Sequence, residues 1–362
     1  MKFEIERREI YVKGYEQVVE FKESSTGLHC IVAIHSTRLG PAVGGTRVQS
    51  YSSFEKALDD VLRLAEGMTY KSALVQAGFG GAKAVIIGDP ETIKSEQLWS
   101  AYAEAINSFD GQFITGKDMG ATVEDLAILH RYTHYVIGST GCEHSGDPCP
   151  FTAYGVMRAV EAAARWIWST ESLKDKRVAI QGVGGVGGHL AAFLFWKGAD
   201  LIVCDIEPRL AERARIKYGA QVVDHGEIYE VECDIFSPCA GGGVLNEQTI
   251  EQLRCAAVVG GANNQLASDH CAELLRERGI LYAPDFVVNA GGLLNGVAEL
   301  EPGGYDPRRV RHQLEEVAHT LFSIYRTSFE RYASTQQVAV EEASKRIEEG
   351  VGRRDHELIF PA

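Results

Sequence analysis

Apolar and polar positions along this chain fall into short blocks whose period changes in a regular order. Ile31-Val32-Ala33-Ile34 is a continuous apolar run of strand length. From Ser53 to Gly67 the period becomes helical. Leu58, Val61, Leu62 and Ala65 share one face, and Ser53 stands where an N-cap belongs. Ala84-Val85-Ile86-Ile87 predicts a strand stopped by Gly88-Asp89-Pro90, residues 95–108 a helix, and Phe113-Ile114-Thr115 a strand. Gly, Ser and Pro then concentrate between Gly138 and Pro150, which marks this loop as the domain junction. Thr152 to Trp168 reads as helix. From Arg177 the order is strand, glycine turn, helix, strand, with further strand-like runs at 234–236, 257–259 and 280–282. Such alternation predicts an α/β protein with a parallel doubly wound sheet. The tail from Arg308 is charged and helical, without strand signal.

Composition narrows the class. A length of 362 residues suits two domains, and 45% hydrophobic with 24% charged residues allows a sizeable core without disulfides or metal. The net charge of -14 argues against nucleic acid and anionic membrane as partners, since both are bound through Lys and Arg. The eight cysteines (Cys30, Cys142, Cys149, Cys204, Cys233, Cys239, Cys255 and Cys271) form no CxxC pair, and several sit in apolar runs, as reduced buried thiols do. The first eight residues lack the apolar stretch of a signal peptide, and no run approaches the ~20 apolar residues of a membrane span. The expected location is the cytoplasm.

One loop carries a specific chemistry. Val178-Ala179-Ile180-Gln181 reads as a strand and runs directly into Gly182-Val183-Gly184-Gly185-Val186-Gly187-Gly188, then into a helix. Gly182 permits the tight turn, Gly184 a close backbone approach to pyrophosphate, and Gly187 close helix–strand packing. A second strand, Leu201 to Cys204, ends at Asp205, about 20 residues on, where a carboxylate accepts from ribose hydroxyls and repels a 2′-phosphate. NAD is therefore expected over NADP, although Arg209 lies close by.

Two lysines and an aspartate stand beside glycine turns. They are Lys71 after Gly67, Lys83 in Gly80-Gly81-Ala82-Lys83-Ala84, and Asp118 in Thr115-Gly116-Lys117-Asp118. Partial burial would lower a lysine pKa and ready it for proton transfer, whereas solvated loop charges would do nothing.

These motifs, with Leu39-Gly40-Pro41-Ala42-Val43-Gly44-Gly45-Thr46-Arg47 and Asn289-Ala290-Gly291-Gly292, resemble the glutamate/leucine/phenylalanine/valine dehydrogenase family, from about residue 30 to the Asn289 region. The resemblance implies two domains with a cleft between them. Residues 1–140 would form a mixed α/β substrate-binding, catalytic and oligomerisation domain, 141–325 a Rossmann NAD-binding domain, and 326–362 helices packing back on the first. It implies a homo-oligomer, from dimer to octamer. It also implies Lys83 and Asp118 as catalytic groups and Lys71 as the carboxylate anchor. Gly40 becomes a backbone contact to substrate and Asn289 a neighbour of its carboxylate. Asn264 bridges substrate and nicotinamide, Thr152 lies near the nicotinamide amide, and Cys239 and Ala240 line the cofactor ribose. The family pattern has a third glycine where this chain has Ala82, so a slight backbone adjustment is expected there.

The same resemblance addresses the substrate, an L-amino acid converted to its 2-oxo acid and ammonia. Leu39 and Gly296 stand where glutamate dehydrogenases hold a side-chain carboxylate with lysine and serine, so glutamate would bury an unpaired charge. Gly116 and Leu293 look like the phenylalanine dehydrogenase pair, with branched-chain substrates the alternative. A 2-hydroxy acid dehydrogenase would need a His base in a comparable setting, and an inactive NAD-binding regulator would have no need of Lys71, Lys83 and Asp118. The cluster Cys142, His144, Asp147 and Cys149 matches no zinc spacing, and no metal is expected. Trp166-Ile167-Trp168 reads as packing or an oligomer contact.

Overall fold

A computed structural model describes residues 3–139 and 144–360. The chain forms two compact units. The first is residues 1–147, 295–307 and 343–362, and the second is 148–294 and 308–342. In the first unit β1 (Glu6–Glu9), β2 (Gln17–Glu23), β3 (Leu28–Ser36), β4 (Ala42–Val43) and β5 (Thr46–Gln49) precede α1 (Phe54–Leu74). There follow β6 (Gly80–Ile87), α2 (Glu96–Asn107), β7 (Phe113–Ile114) and α3 (Val123–His130). The seven strands make one mixed sheet in the order β1-β2-β3-β6-β4-β7, with β5 also on β6. Its centre is apolar on both faces because helices cover both. On β3, Cys30, Val32 and Ile34 face the core shared with α2, while Ile31 and Ala33 face Ala57, Val61 and Ala65 of α1.

The second unit runs α4 (Cys149–Trp168), β8 (Arg177–Gln181), α5 (Gly185–Trp196), β9 (Asp200–Cys204), α6 (Pro208–Tyr218), β10 (Gln221–Val222) and β11 (Ile235–Pro238). It continues through α7 (Glu247–Gln252), β12 (Ala257–Val258), α8 (His270–Glu277), β13 (Leu281–Tyr282) and α9 (Asp285–Val288). The chain then forms α10 (Gly291–Val297), α11 (Pro307–Arg331) and α12 (Thr335–Glu349), of which residues 295–297 and 343–349 fall in the first unit. All six strands are parallel, in the order β10-β9-β8-β11-β12-β13. This is the Rossmann doubly wound order, with its switch point between β8 and β11.

Several expectations shift. α1 runs through Gly67 to Leu74, so Lys71 sits in its last turn and not after a glycine turn. β6 begins at Gly80, so Lys83 lies inside the strand. Ala82 needs no special backbone. It pairs with Ile34 and is buried in the core, and the irregular register falls one pair further, at Ser36 and Gly81. The first unit extends to Asp147 instead of 140, because the loop before it is tied to Glu299, which accepts from the Gly138 and Ser145 N–H groups and meets His144 Nδ1 at 3.0 Å. The tail differs too. α11 belongs to the second unit, where Trp166 packs edge-on against its Phe322 and Phe329 (centroids 5.6 and 6.5 Å), and only 343–362 belong to the first. Trp166 thus has an intrachain packing role, and Trp168 takes Lys176 Nζ 3.8 Å over its ring. Cys142 lies outside the described residues. The other seven cysteines are free thiols. No helix among the described residues is long and apolar enough to cross a membrane.

Candidate active site and cofactor site

Lys83 and Asp118 meet. Lys83 Nζ lies 3.1 Å from Asp118 Oδ2, and Arg47 Nε donates to the same oxygen at 3.0 Å. Among the described residues none bonds to Asp118 Oδ1. Arg47 also donates to Asp60 Oδ2 (2.8 Å), which accepts from the Tyr51 hydroxyl (2.7 Å). The glycine pair between β4 and β5 makes this possible. A Cβ on Gly44 would overlap the Ala82 carbonyl, and one on Gly45 would lie 2.6 Å from the Lys117 carbonyl oxygen and 3.1 Å from Asp118 Cβ. The backbone therefore passes directly between β6 and the turn that carries Asp118. Arg47 was quoted in a motif but given no role by sequence reasoning. The one local sign was an arginine inside a short buried strand, Thr46-Arg47-Val48.

Burial decides the electrostatics. Lys83 is 5% exposed, and desolvation outweighs the attraction of Asp118. Its pKa falls below the ordinary lysine value, and Arg47 pushes it further the same way. Burial alone would raise Asp118, but Lys83 and then Arg47 overcome it and hold the carboxyl below its usual range. The cluster thus sets a lysine ready to lose its proton beside a carboxylate that stays ionised.

Lys71 is 8% exposed, in the last turn of α1, and Thr69 of the same helix packs directly on Gly81 of β6. Leu39 is fully buried. Gly40 already uses its backbone, donating to the Thr37 carbonyl (3.0 Å) and accepting from Gly80 (3.1 Å). Gly116 and Gly296 converge on one side chain that sequence reasoning missed. A Cβ on Gly116 would stand 3.2 Å from Ile137 Cγ1, and one on Gly296 would stand 2.8 Å from Ile137 Cδ1. Part of the space the two glycines leave is therefore filled by Ile137. Nothing in the residues near 137 signals this, since the three positions are far apart in the chain.

The second unit offers a dinucleotide cradle. Gly182 (φ +88°) turns the chain at the end of β8, and a Cβ on Gly187 would overlap the Gly182 carbonyl. Beyond Gly184 there is open space, and α5 starts there with neither a side-chain cap nor an acidic residue in its first turn. The N–H groups of Gly185, Val186 and Gly187 thus face a place suited to a phosphate, with Gly188 closing the first helical bond at 2.8 Å. Cys239 and Ala240 come in from β11 at the switch point. Ala240 Cβ would be 2.8 Å from a Cβ on Gly182. Asp205 is fixed by accepting from the Val183 N–H (2.8 Å) and the Glu207 N–H (2.9 Å). Arg209, the residue that left NADP in play, pairs with Glu207 at 3.0 Å. These groups fit NAD: they would hold its pyrophosphate and adenosine ribose.

The remaining positions lie in the same unit. Thr152, in the first turn of α4, donates to the Pro148 carbonyl (3.1 Å). Asn264 adopts a left-handed conformation (φ +51°), which asparagine tolerates better than most residues. Leu293 is buried. Asn289 is 5% exposed. Its NH₂ donates to Asn263 Oδ1 (2.8 Å) and to the Gly261 and Ala262 carbonyls (3.3 Å each), while its Oδ1 has no partner among the described residues. As oriented, Asn289 presents an acceptor.

Comparison with known proteins accords with this geometry. Residues 15–135 match the Glu/Leu/Phe/Val dehydrogenase dimerisation domain, and residues 205–349 match the Glutamate/Leucine/Phenylalanine/Valine dehydrogenase domain. A leucine dehydrogenase from Bacillus cereus is 45% identical, covering 92% of this chain and 91% of that protein. A phenylalanine dehydrogenase from Thermoactinomyces intermedius is 43% identical, over 92% of this chain and 90% of its own. The crystal structure of L-tryptophan dehydrogenase from Nostoc punctiforme superposes with a TM-score of 0.79 at 39% identity, covering 93% of this chain and 97% of that one. The chain belongs to the glutamate/leucine/phenylalanine/valine dehydrogenase family and is an NAD-dependent amino acid dehydrogenase.

Proposed function

We propose that the protein oxidatively deaminates a neutral hydrophobic L-amino acid, phenylalanine first, to its 2-oxo acid and ammonia, reversibly. The observation that carries the reaction is the buried Lys83–Asp118–Arg47 cluster. Held by the glycine loop from Gly182 to Gly188 and by Asp205, NAD would supply the acceptor for the hydride of the amino acid Cα. The first unit does the rest. Lys71, cationic, anchors the substrate carboxylate. Neutral Lys83 takes a proton from the water that attacks the substrate iminium carbon. Asp118, an ionised carboxylate 3.1 Å from Lys83 Nζ, accepts that proton from Lys83 and passes it to the amine nitrogen, and the hydroxyl proton of the carbinolamine returns to Lys83 as the C=O bond forms and ammonia leaves. The match of residues 15–135 to a dimerisation domain supports a homo-oligomer.

Buried, apolar Leu39 gives a second substrate carboxylate no partner, so glutamate is a poor substrate. Gly116 and Gly296 support an aromatic side chain. Ile137, which fills part of the space they leave, favours the second reading, a branched aliphatic one. The test is NAD reduction across the twenty amino acids, with ammonia dependence of the reverse reaction, on wild type and Gly116→Ala. Phenylalanine is expected to have the highest kcat/KM. The added methyl presses on Ile137 and shifts preference toward leucine and valine by about 10- to 200-fold, the ~1–3 kcal/mol of one methylene in a packed pocket. A wild type that prefers leucine or valine about tenfold or more selects the branched-chain reading. Glutamate as best substrate would overturn the placement of Leu39 and Gly296.

Cofactor choice has its own test. NAD is expected to exceed NADP in kcat/KM by more than about tenfold, because Asp205 repels a 2′-phosphate. Asp205→Ser narrows that margin. Equal wild-type rates with both cofactors would remove Asp205 as the selector.

A further inference from the structure

After α12 the chain carries an arginine with a buried side chain, distant along the sequence from every recognised motif. The Arg354 side chain is 5% exposed. Its backbone N–H donates to the Leu39 carbonyl (2.9 Å). Its Nε donates to the Gly78 carbonyl (3.1 Å), and Nη2 donates to Glu301 Oε1 (2.5 Å). The guanidinium lies 4.1 Å over the Phe79 ring. Three separate stretches of the first unit therefore meet on one residue. Two of them touch each other as well. Gly80 donates to the carbonyls of Gly40 (3.1 Å) and Pro41 (3.0 Å), and a Cβ on Gly40 would overlap the Gly78 carbonyl. β6 starts at Gly80 and delivers Lys83 three residues later.

We propose that Arg354 is a positioning residue for the substrate subsite: it clamps the Leu39–Gly40 loop to the Gly78–Phe79 turn and so sets where Leu39 stands against the substrate side chain. The inference rests on the substrate role given to Leu39 and Gly40 above. An arginine suits the task because its planar fork donates in fixed, divergent directions while its face stacks on an aromatic ring; a lysine ammonium offers a point charge and no stacking plane. The guanidinium supplies a donor to the Gly78 carbonyl that would otherwise lose its partner, and neutralises Glu301 in the same step. Nothing in Arg354 itself touches the reacting atoms. It acts through the loop that it holds.

The experiment uses the full chain with Arg354→Met, Arg354→Lys and Glu301→Gln, and measures kcat, both KM values and thermal stability. In Arg354→Met the amino acid KM is expected to rise by about 10- to 100-fold, since a displacement of about 1 Å near a reacting centre costs up to about 10²-fold. The NAD KM should stay within about twofold, because no cofactor group of the second unit is altered. The kcat/KM ratio between the best and second-best hydrophobic amino acid should shrink, and Arg354→Lys should restore part of both effects. Should Arg354→Met fail to fold, Arg354→Lys and Glu301→Gln, which remove single anchors, carry the same readouts. An unchanged amino acid KM in a folded Arg354→Met, a parallel rise in both KM values, or undiminished selectivity would each overturn the proposal. A wild type without amino acid dehydrogenase activity would instead overturn the proposed function, so the two failures are separable.

Discussion

Lys83→Ala is expected to lower turnover by about 10²–10⁴-fold, the usual contribution of a positioned general acid or base. NAD affinity should be unchanged, since the glycine loop and Asp205 are untouched. The pH dependence makes the assignment specific. In the proposed reaction Lys83 acts as a neutral amine, so wild-type kcat is expected to rise with pH as Lys83 loses its proton. Burial places that rise below the ordinary lysine value of about 10.4. In Lys83→Ala the rise disappears along with the rate. Stopped-flow turnover from acid to alkaline pH, with NAD affinity from fluorescence titration, gives both readouts. Wild-type-like turnover in the variant would remove Lys83 from the mechanism. A wild-type profile flat up to the ordinary lysine range would contradict its lowered pKa.

What was legible in the sequence was what local backbone rules enforce. The loop from Gly182 to Gly188 was readable because each glycine answers a constraint within its own turn, and the strand, helix and second strand follow in a fixed order. Burial of Lys83 was readable from its apolar neighbours, but its setting was not. Gly80 and Gly81 look like a turn and are the first residues of β6, held extended by β3 and β4. Gly67 likewise looks like a helix end, yet α1 runs on for seven residues because Thr69, Ser72, Ala73 and Leu74 are buried against the sheet. Tertiary packing outweighs a glycine cost of about 1 kcal/mol. The partners that complete the site were the least legible. Arg47 reaches Asp118 across 71 residues, Ile137 is met by Gly296 from another part of the chain, and Arg354 binds Gly78 across 276 residues. No periodicity or spacing rule encodes such pairings. The tail shows the same limit: its helical character was readable, but which unit each helix joins depends on faces it meets only after folding.

Asp118→Asn separates the two roles of the carboxylate because its effects on rate, stability and pH profile have different signs. Asparagine keeps the volume but removes the charge that Lys83 and Arg47 share at 3.1 and 3.0 Å. Two buried cations then face each other with no anion between them except Asp60, on the far side of Arg47. Breaking a buried pair in this way costs about 3–5 kcal/mol, readable as a lower denaturation midpoint. The folded Asp118 pKa lies below the unfolded value of about 3.9, so its contribution is present above that value and is lost as pH falls through the folded pKa. Wild type and variant should therefore differ most at neutral pH and converge in acid. Turnover should fall by about 10²-fold or more, since proton transfer to the amine loses its carboxylate. The pH profile should nevertheless move the other way from a simple loss of base. Asp118 raises the Lys83 pKa, and without it burial and Arg47 push that pKa further down, so the rise in kcat shifts to lower pH. A variant with a lower rate but an unshifted rise would show that Lys83 and Asp118 do not titrate as neighbours during the reaction. A variant with full activity would leave Asp118 a structural ion and assign the proton transfer to another group.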